Sequence, residues 1–454
     1  MLKFLKKKKT IQLPMVEKLR EDYDVVIHIG APKAGSSAIQ KYLVENRSKL
    51  LEVGFYYPEH GLDENGISCG HSIIGKNLSD GNHATAAAIM QTYLTEAKKL
   101  QCTLLISTES LFDKAESLKK ILGHHRCKII AFFREPLESL YSNYNQGIKR
   151  NYLTSRLEAF CQSNIDKPDD FLSGKVFEHW SRVFGKEHIA VLGYDTKVFS
   201  QTPIQSIFLS LIGIDIISQK QHFKFNTHYV NNSYCLAALE LKRMFNFVLD
   251  KTQSKLNNQI DWFLQGISDK SNKTKYQLAD RITTETYQQL KNKFSASTLK
   301  IREDYLLALN PNFLNEDKKL KLKTVNQAKL AAEMVDLLTQ LNQQKPHLYR
   351  YIQQQINTFI QNKAQHYEII KLAEMFNYDL NQIEMKEAWF NQNQLMNMPN
   401  LQPVEIYRDI AYLCYHRGDL SNAQRLIEKA REIRPNGPAM IQLSKLIKQK
   451  LNEK

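Results

Sequence analysis

An apolar strand that leads through a glycine loop into an amphipathic helix is the feature that most constrains this fold. Residues 25–29 form a β-branched run typical of a buried strand, and residues 37–51 have the periodicity of an amphipathic helix. Gly30 and Gly35 bound the loop between them. This order is the first unit of a parallel sheet, so the sequence predicts an α/β fold.

The alternation of strands and helices continues beyond this unit to about residue 309. Strands that alternate with helices indicate a parallel sheet flanked by helices on both faces. The other predicted elements are the strands 103–107, 128–133 and 188–194 and the helices 136–150 and 204–212.

Composition divides the chain into three parts. Residues 1–22 form a basic tail that includes Lys6–Lys9, residues 23–312 form the α/β domain, and residues 313–454 form an all-α domain rich in Gln, Asn, Lys and Leu. Within the last part, residues 403–437 have the small residues and terminal proline of one tetratricopeptide-like repeat, with a plain helical bundle as the alternative. The positions in question are Ala411, Gly418, Ala423, Ala430 and Pro435.

Charge and apolar content limit the class of partner. The 62 Lys and Arg residues exceed the 47 Asp and Glu residues, which gives a net charge of +15 and predicts an anionic ligand or surface. No basic motif interleaved with aromatics supports nucleic-acid binding.

The apolar stretches fall short of the roughly 20 residues of a membrane span. We therefore expect a cytoplasmic protein, which Lys6–Lys9 can hold at an anionic membrane face.

The loop after the first strand has the layout of a phosphate-binding site. The first backbone N–H groups of a helix lack intrahelical acceptors, so Gly35, Ser36 and Ser37 can donate to an anion. Lys33 adds a full positive charge. An ATPase loop would have lysine directly after the second glycine, where this chain has Ser36. A simple glycine–serine turn is the alternative, but it leaves Pro32 and Lys33 unexplained.

A second motif combines a strand end, an arginine and a helix. Arg134 ends the predicted strand, Pro136 suits the first helical turn, and Ser142 follows the arginine by eight residues. An arginine at the carboxyl end of a parallel strand lies where α/β sheets bind ligands, and its planar fork matches a phosphate. The alternatives are a salt bridge from Arg134 to Glu135 or Glu138 and an incidental hydroxyl at Ser142.

Together, the two motifs resemble those of sulfotransferases that use 3′-phosphoadenosine 5′-phosphosulfate (PAPS). Lys33-Ala34-Gly35-Ser36-Ser37 is similar to their 5′-phosphosulfate loop, and Arg134 with Ser142 is similar to their 3′-phosphate motif. The resemblance covers about residues 23–312. It implies a P-loop-like sulfotransferase fold, PAPS as co-substrate and no metal.

Two further matches are weaker. Tyr194, in a strand ending Tyr-Asp, resembles the family position near which adenine is held, although a core aromatic is the alternative. Ser233 closes an Asn-x-Ser that resembles the one before a late helix in bacterial glycan sulfotransferases, although it is also a suitable helix N-cap. That resemblance implies a saccharide or glycolipid acceptor.

Glu109 is the leading candidate for the base that removes the acceptor proton. It follows Thr108 where cytosolic family members have a Thr-His pair whose histidine is the base, and its alternatives are a ligand-positioning or helix-capping acid. His71, in the glycine-rich stretch 54–80, is the rival, with a solvent-exposed loop histidine as the alternative. His28 lies within the first strand and is expected to be a core histidine.

The sequence therefore predicts an enzyme that transfers a sulfuryl group from PAPS to a hydroxyl of a carbohydrate or glycolipid. Two other functions stay open. One is a nucleotide-dependent, kinase-like phosphotransferase that uses the same loop, and the other is a scaffold whose C-terminal helices bind a protein partner.

Overall fold

In a computed structural model, the 454-residue chain divides into two compact units. The first unit comprises residues 1–359 and 367–376, and the second comprises residues 360–366 and 377–454. The predicted basic tail and the predicted boundary at residue 312 lie outside the described residues. The residues described are 23–61, 70–168, 170–214, 223–224, 233–271, 274–306, 313–314, 322–361, 367–378, 402–416 and 419–452.

A five-stranded, all-parallel sheet forms the centre of the first unit, in the order β2-β3-β1-β4-β5. All residues of β1 and β3 are buried, as expected for strands covered on both faces. The α/β prediction and its four strands are confirmed, whereas the two-residue β2 was not foreseen. The strands are β1 (Val25–His28), β2 (Phe55–Tyr56), β3 (Thr103–Ser107), β4 (Cys127–Phe133) and β5 (Ile189–Gly193).

Helices connect and flank these strands. Those up to the end of β4 are α1 (Ser36–Glu45), α2 (Arg47–Glu52), α3 (Ser72–Ser79), α4 (His83–Lys99) and α5 (Ala115–Leu122). Those around β5 are α6 (Pro136–Arg150), α7 (Leu157–Gln162), α8 (Asp170–Ser173), α9 (Val176–Phe184), α10 (Thr196–Phe199) and α11 (Ile204–Leu211). The predicted helices 136–150 and 204–212 are thereby confirmed as α6 and α11.

The predicted helix 37–51 is wrong as one continuous element, because the helix breaks at Asn46. The Asn46 side chain donates to the carbonyl oxygen of Lys224 at 3.2 Å and accepts from the Lys224 N–H at 2.8 Å. Its backbone leaves the helical region at this point, with φ −116° and ψ 19°. A contact 178 residues away in sequence thus ends α1 and starts α2.

More helices follow β5 within the first unit. The Arg156 and Arg243 guanidinium groups both donate to Glu368 Oε1, at 2.8 and 3.2 Å, and so attach the helix Tyr367–Met375 (α17) to the core. None of the described helices is long and apolar enough to span a bilayer. The helices are α12 (Leu236–Phe245), α13 (Ser254–Lys270), α14 (Thr284–Ile301), α15 (Gln327–Gln344), α16 (Pro346–Gln361, which ends in the second unit) and α17 (Tyr367–Met375).

The second unit is helical where it is described, which confirms an all-α C-terminal region. Its helices are α18 (Pro403–His416), α19 (Leu420–Ile433) and α20 (Pro438–Asn452). Ala411, Ala423 and Ala430 are fully buried in their shared core, as the small-residue pattern predicts. Gly418 lies outside the described residues, and the tetratricopeptide-like character stays a prediction.

Candidate functional site

The loop after β1 turns through three residues with positive φ. These are Gly30 at 100°, Lys33 at 65° and Gly35 at 88°. Gly35 caps the N-terminus of α1, and a Cβ there would lie 2.7 Å from Ile204 Cδ1 and 2.9 Å from the Tyr194 ring. Only glycine combines this backbone conformation with this close approach. The start of α1, with Ser36 and Ser37, is thus held against the carboxyl end of β5.

The two phosphate motifs of the sequence meet at this loop. Arg134 Nη1 donates to the carbonyl oxygen of Lys33 at 3.0 Å, although the residues are 101 positions apart. Tyr194 is half-buried, and the Arg134 guanidinium carbon lies 5.3 Å from its ring centroid. The parallel pairing of β1 with β4 brings these groups together, because it places both strand ends at one edge of the sheet.

A cavity of about 180 Å³ lies beside Arg134 and the first half of the loop. Arg134 Nε is 3.5 Å from Glu138 Oε2, yet it is buried and makes no hydrogen bond to the described residues. The ion pair with Glu138 is the alternative that the sequence left open for Arg134. A buried N–H that makes no hydrogen bond to the described residues, beside a cavity, still suits an anionic ligand. The cavity is lined by Ala31, Pro32, Phe133, Arg134, Ser139, Asn143, Phe171 and Leu172.

The predicted Ser142 is not among those lining residues. It is half-buried on α6, one turn beyond Glu138, and so shares a face with the acid that pairs with Arg134. Ser139 and Asn143, which do line the cavity, escaped the sequence analysis. The sequence feature that could have indicated them is their i, i+4 spacing, which places both on the face of α6 next to that of Glu138 and Ser142.

Glu109 lies against the loop of residues 30–35. A Cβ on Gly30 would be 3.4 Å from Glu109 Cγ. Burial raises the pKa of the Glu109 carboxyl, while the Ser36 hydroxyl and the charge and backbone N–H of Lys33 act in the opposite direction. The capping role belongs instead to Thr108, whose side chain accepts from the Ser110 N–H at the start of the 3₁₀ turn Glu109–Leu111.

Lys33 carries the positive charge of the loop. It is half-buried, and burial lowers the pKa of its ammonium group while Glu109 raises it. The charge of Arg150, at the end of α6, lowers the pKa further. The Lys33 ammonium group therefore interacts electrostatically with the Glu109 carboxylate and with the Arg150 guanidinium at the end of α6.

His71 is not the solvent-exposed loop histidine that the sequence left open as an alternative. It is fully buried, its Nδ1 accepts from the Ser107 N–H at 3.3 Å, and its Nε2 lies 3.2 Å from the Pro58 carbonyl oxygen. Burial lowers its pKa to about 3. His28 is a buried core histidine as expected, with Nδ1 2.9 Å from Ser107 Oγ. Both histidines connect structural elements through Ser107.

Ser233 precedes α12 at the protein surface. Its side chain is exposed, and Cys235 rather than Ser233 is the N-cap of α12. The two asparagines of its Asn-x-Ser lie outside the described residues. The next residue, Tyr234, is buried and carries the amino group of Lys149 over its ring.

Lys149 and Arg150 are two cations that the sequence analysis missed. The charge of Arg150 acts on Lys33, and the charge of Lys33 helps to lower the pKa of Lys149 to about 8, with burial as the main cause. Lys149 stands seven residues after Ser142, hence two turns along the same helix face. That spacing was the available signal.

Comparison of the chain with protein-family models, curated proteins and solved structures gives no match.

Proposed function

We propose that the protein transfers a sulfuryl group from PAPS to a hydroxyl of a saccharide or glycolipid, on a P-loop-like sulfotransferase fold. The hydrogen bond from Arg134 to the Lys33 carbonyl carries this proposal. It joins the loop suited to a 5′-phosphosulfate with the arginine suited to a 3′-phosphate. A ligand with anionic groups at both ends matches such a pair.

The electrostatics support binding of the donor. The N-terminal amides of α1 and the ammonium group of Lys33 would hold the 5′-phosphosulfate. Arg134, with a buried Nε that makes no hydrogen bond to the described residues, would hold the 3′-phosphate. Ser142 on α6 would assist, and Tyr194 would lie near the adenine.

The roles of Glu109 and Lys33 follow from their places. During transfer, the acceptor oxygen forms a bond to sulfur while the bond from sulfur to the bridging phosphate oxygen breaks. Glu109 takes the hydroxyl proton, and Lys33 stabilises the negative charge that develops on the leaving oxygen. A base must have a nitrogen or oxygen free for that proton. Because both ring nitrogens of His71 are engaged by backbone groups, Glu109 is the better-supported base.

Two competing functions have less support. A phosphotransferase loop needs a lysine after the second glycine, and the buried Ser36 stands there. A scaffold that acts only through its C-terminal helices needs neither Arg134 nor Glu109 at the loop.

Isothermal titration of the full chain with 3′-phosphoadenosine 5′-phosphate, ATP and 5′-AMP tests the proposal. The 3′-phosphorylated nucleotide should bind at least tenfold more tightly than either competitor, because only it engages both motifs. Preference for ATP would favour the phosphotransferase, and no binding of any nucleotide would favour the scaffold.

A further inference from the structure

The end of α6 and one face of α13 form a surface that the donor site does not use. We propose that this acceptor face, defined by Lys149, Arg150, Trp262 and Gln265, binds the acceptor and selects a saccharide that carries carboxylate or sulfate groups. The inference rests on the proposed sulfotransferase function, since it names the acceptor class of that reaction.

The acceptor face contains two cations with capacity to bind a ligand. Lys149 Nζ donates one hydrogen bond, to Gln265 Oε1 at 2.7 Å, and lies 4.0 Å from the Tyr234 ring centroid. Arg150 is 42% exposed and only 3.8 Å from its partner, Asp261 Oδ2. That carboxylate is also paired with a buried ammonium group, Lys242 Nζ, at 3.3 Å. Arg150 therefore shares its carboxylate with Lys242, and its partly exposed guanidinium is accessible to a ligand.

An aromatic and polar stripe runs along α13 beside these cations. Asn258, Trp262, Gln265 and Asp269 stand at positions i, i+4, i+7 and i+11, which places them on one helix face. Gln265 contacts Lys149, so this face is the one turned toward the end of α6. The Trp262 indole is 46% exposed. Both ends of the Gln265 amide are engaged, since it accepts from Lys149 and donates to Asp269 Oδ1 at 2.7 Å. The exposed indole can stack on the apolar face of a sugar ring.

The charges on this face and on the phosphate loop repel one another. Arg150 lowers the pKa of Lys33, and Lys33 and Arg150 both lower the pKa of Lys149. The carboxylates act in the opposite direction: Asp261 and Asp269 raise the pKa of Lys149, and Glu109 raises the pKa of Lys33.

A negatively charged ligand beside Lys149 and Arg150 relieves this repulsion, whereas a neutral sugar does not. The partly exposed guanidinium of Arg150, beside the Lys149 ammonium group, therefore favours an anionic acceptor at this face.

Titration with two saccharides of equal length tests the acceptor face. An unsulfated chondroitin hexasaccharide supplies carboxylates, and chitohexaose is neutral. Each is titrated into the full chain with and without saturating 3′-phosphoadenosine 5′-phosphate. The acidic sugar should bind about tenfold more tightly, the scale of one charge-assisted contact at a partly exposed site.

Variants separate charge from stacking. R150A should weaken the acidic hexasaccharide about tenfold and leave the neutral one within about twofold, whereas W262A should weaken both. R182A removes an exposed arginine from α9 and should change neither. R150K and W262F, which keep charge and ring, should retain most of the binding.

Equal affinity for the two sugars, or an R150A variant that keeps the preference, would overturn the acceptor assignment. Because nucleotide binding is measured on the same samples, that failure is distinct from failure of the proposed function. Loss of nucleotide binding contradicts the donor site, and loss of sugar selectivity with nucleotide binding intact contradicts the acceptor face alone.

Discussion

Arg134 donates a hydrogen bond from Nη1 to the Lys33 carbonyl oxygen at 3.0 Å. Lys33 has a left-handed backbone, with φ 65°, which costs free energy for a residue with a Cβ. The hydrogen bond from Arg134 helps to hold that conformation. Arg134 is thus both a support of the phosphate loop and a wall of the neighbouring cavity.

Replacement of Arg134 separates these two contributions. R134A should weaken 3′-phosphoadenosine 5′-phosphate binding by about 2 kcal/mol, or roughly thirtyfold, through loss of a charge-assisted contact. Binding of 5′-AMP, which lacks the 3′-phosphate, should fall much less. Calorimetric titration measures both. An equal loss for the two nucleotides would show that Arg134 acts only by supporting the loop.

Substitution of Glu109 tests the base through its pH dependence. Because burial raises the pKa of this carboxyl above its usual range, wild-type kcat/KM should fall as pH drops through the raised pKa. E109Q should lower turnover by roughly 10²-fold and abolish that acidic limb, while nucleotide affinity stays unchanged. An E109Q enzyme that keeps the acidic limb would assign it to another group.

The same substitution has a defined effect on stability. The folded protein holds the Glu109 proton more tightly than the unfolded chain, so folding stability is lost as pH rises through the folded pKa. Because glutamine does not titrate, the E109Q variant lacks this pH-dependent loss of stability. The melting temperature of E109Q relative to wild type should therefore increase with pH, as scanning calorimetry can measure.

Lys33 should affect chemistry more than binding. K33A removes the charge assigned to the leaving oxygen, so turnover should fall by at least about 10²-fold while 3′-phosphoadenosine 5′-phosphate affinity falls less than tenfold. K76A, which removes an exposed lysine on α3, is the control. Parallel falls in turnover and affinity would instead make Lys33 a binding residue only.

A pair of glycine substitutions measures the packing of the loop. Gly35 and Gly81 both have positive φ, at 88° and 78°, but a Cβ on Gly81 meets no atom within 4 Å. G81A therefore reports backbone strain alone, on the order of 1 kcal/mol. G35A adds collisions with Ile204 and Tyr194, so it should lower the melting temperature further and reduce nucleotide binding. Equal effects would show that the close approach is unimportant.

Truncation after Tyr378 should leave nucleotide binding intact, because every residue assigned to the proposed donor site belongs to the first unit. Truncation after Asn312 also removes α17 and its Glu368, which pairs with Arg156 and the buried Arg243. That shorter chain should be less stable by several kcal/mol, because a buried charge loses a partner. Urea unfolding and titration compare the two. A stable 1–378 chain that fails to bind nucleotide would contradict the assignment.

Patterns that depend on near neighbours were predictable. The run at 103–107 is β3 in the structure, and the helix predicted at 136–150 is α6, because apolar periodicity and a first-turn proline act locally. The break at Asn46 was not predictable, since its cause is the backbone of Lys224. β2, with only two residues, has too little sequence to show a period.

The sequence by itself determined the strand, loop and helix around Lys33 and the arginine at the end of β4, since backbone conformation there follows from residue type and spacing. Only the tertiary structure decided which side chains share the loop. It brought Arg134 and Glu109 to Lys33, buried His71 against Ser107, and set Lys149 and Arg150 beside α13. Such pairings depend on strand order and on burial, and neither leaves a periodic signal in the chain.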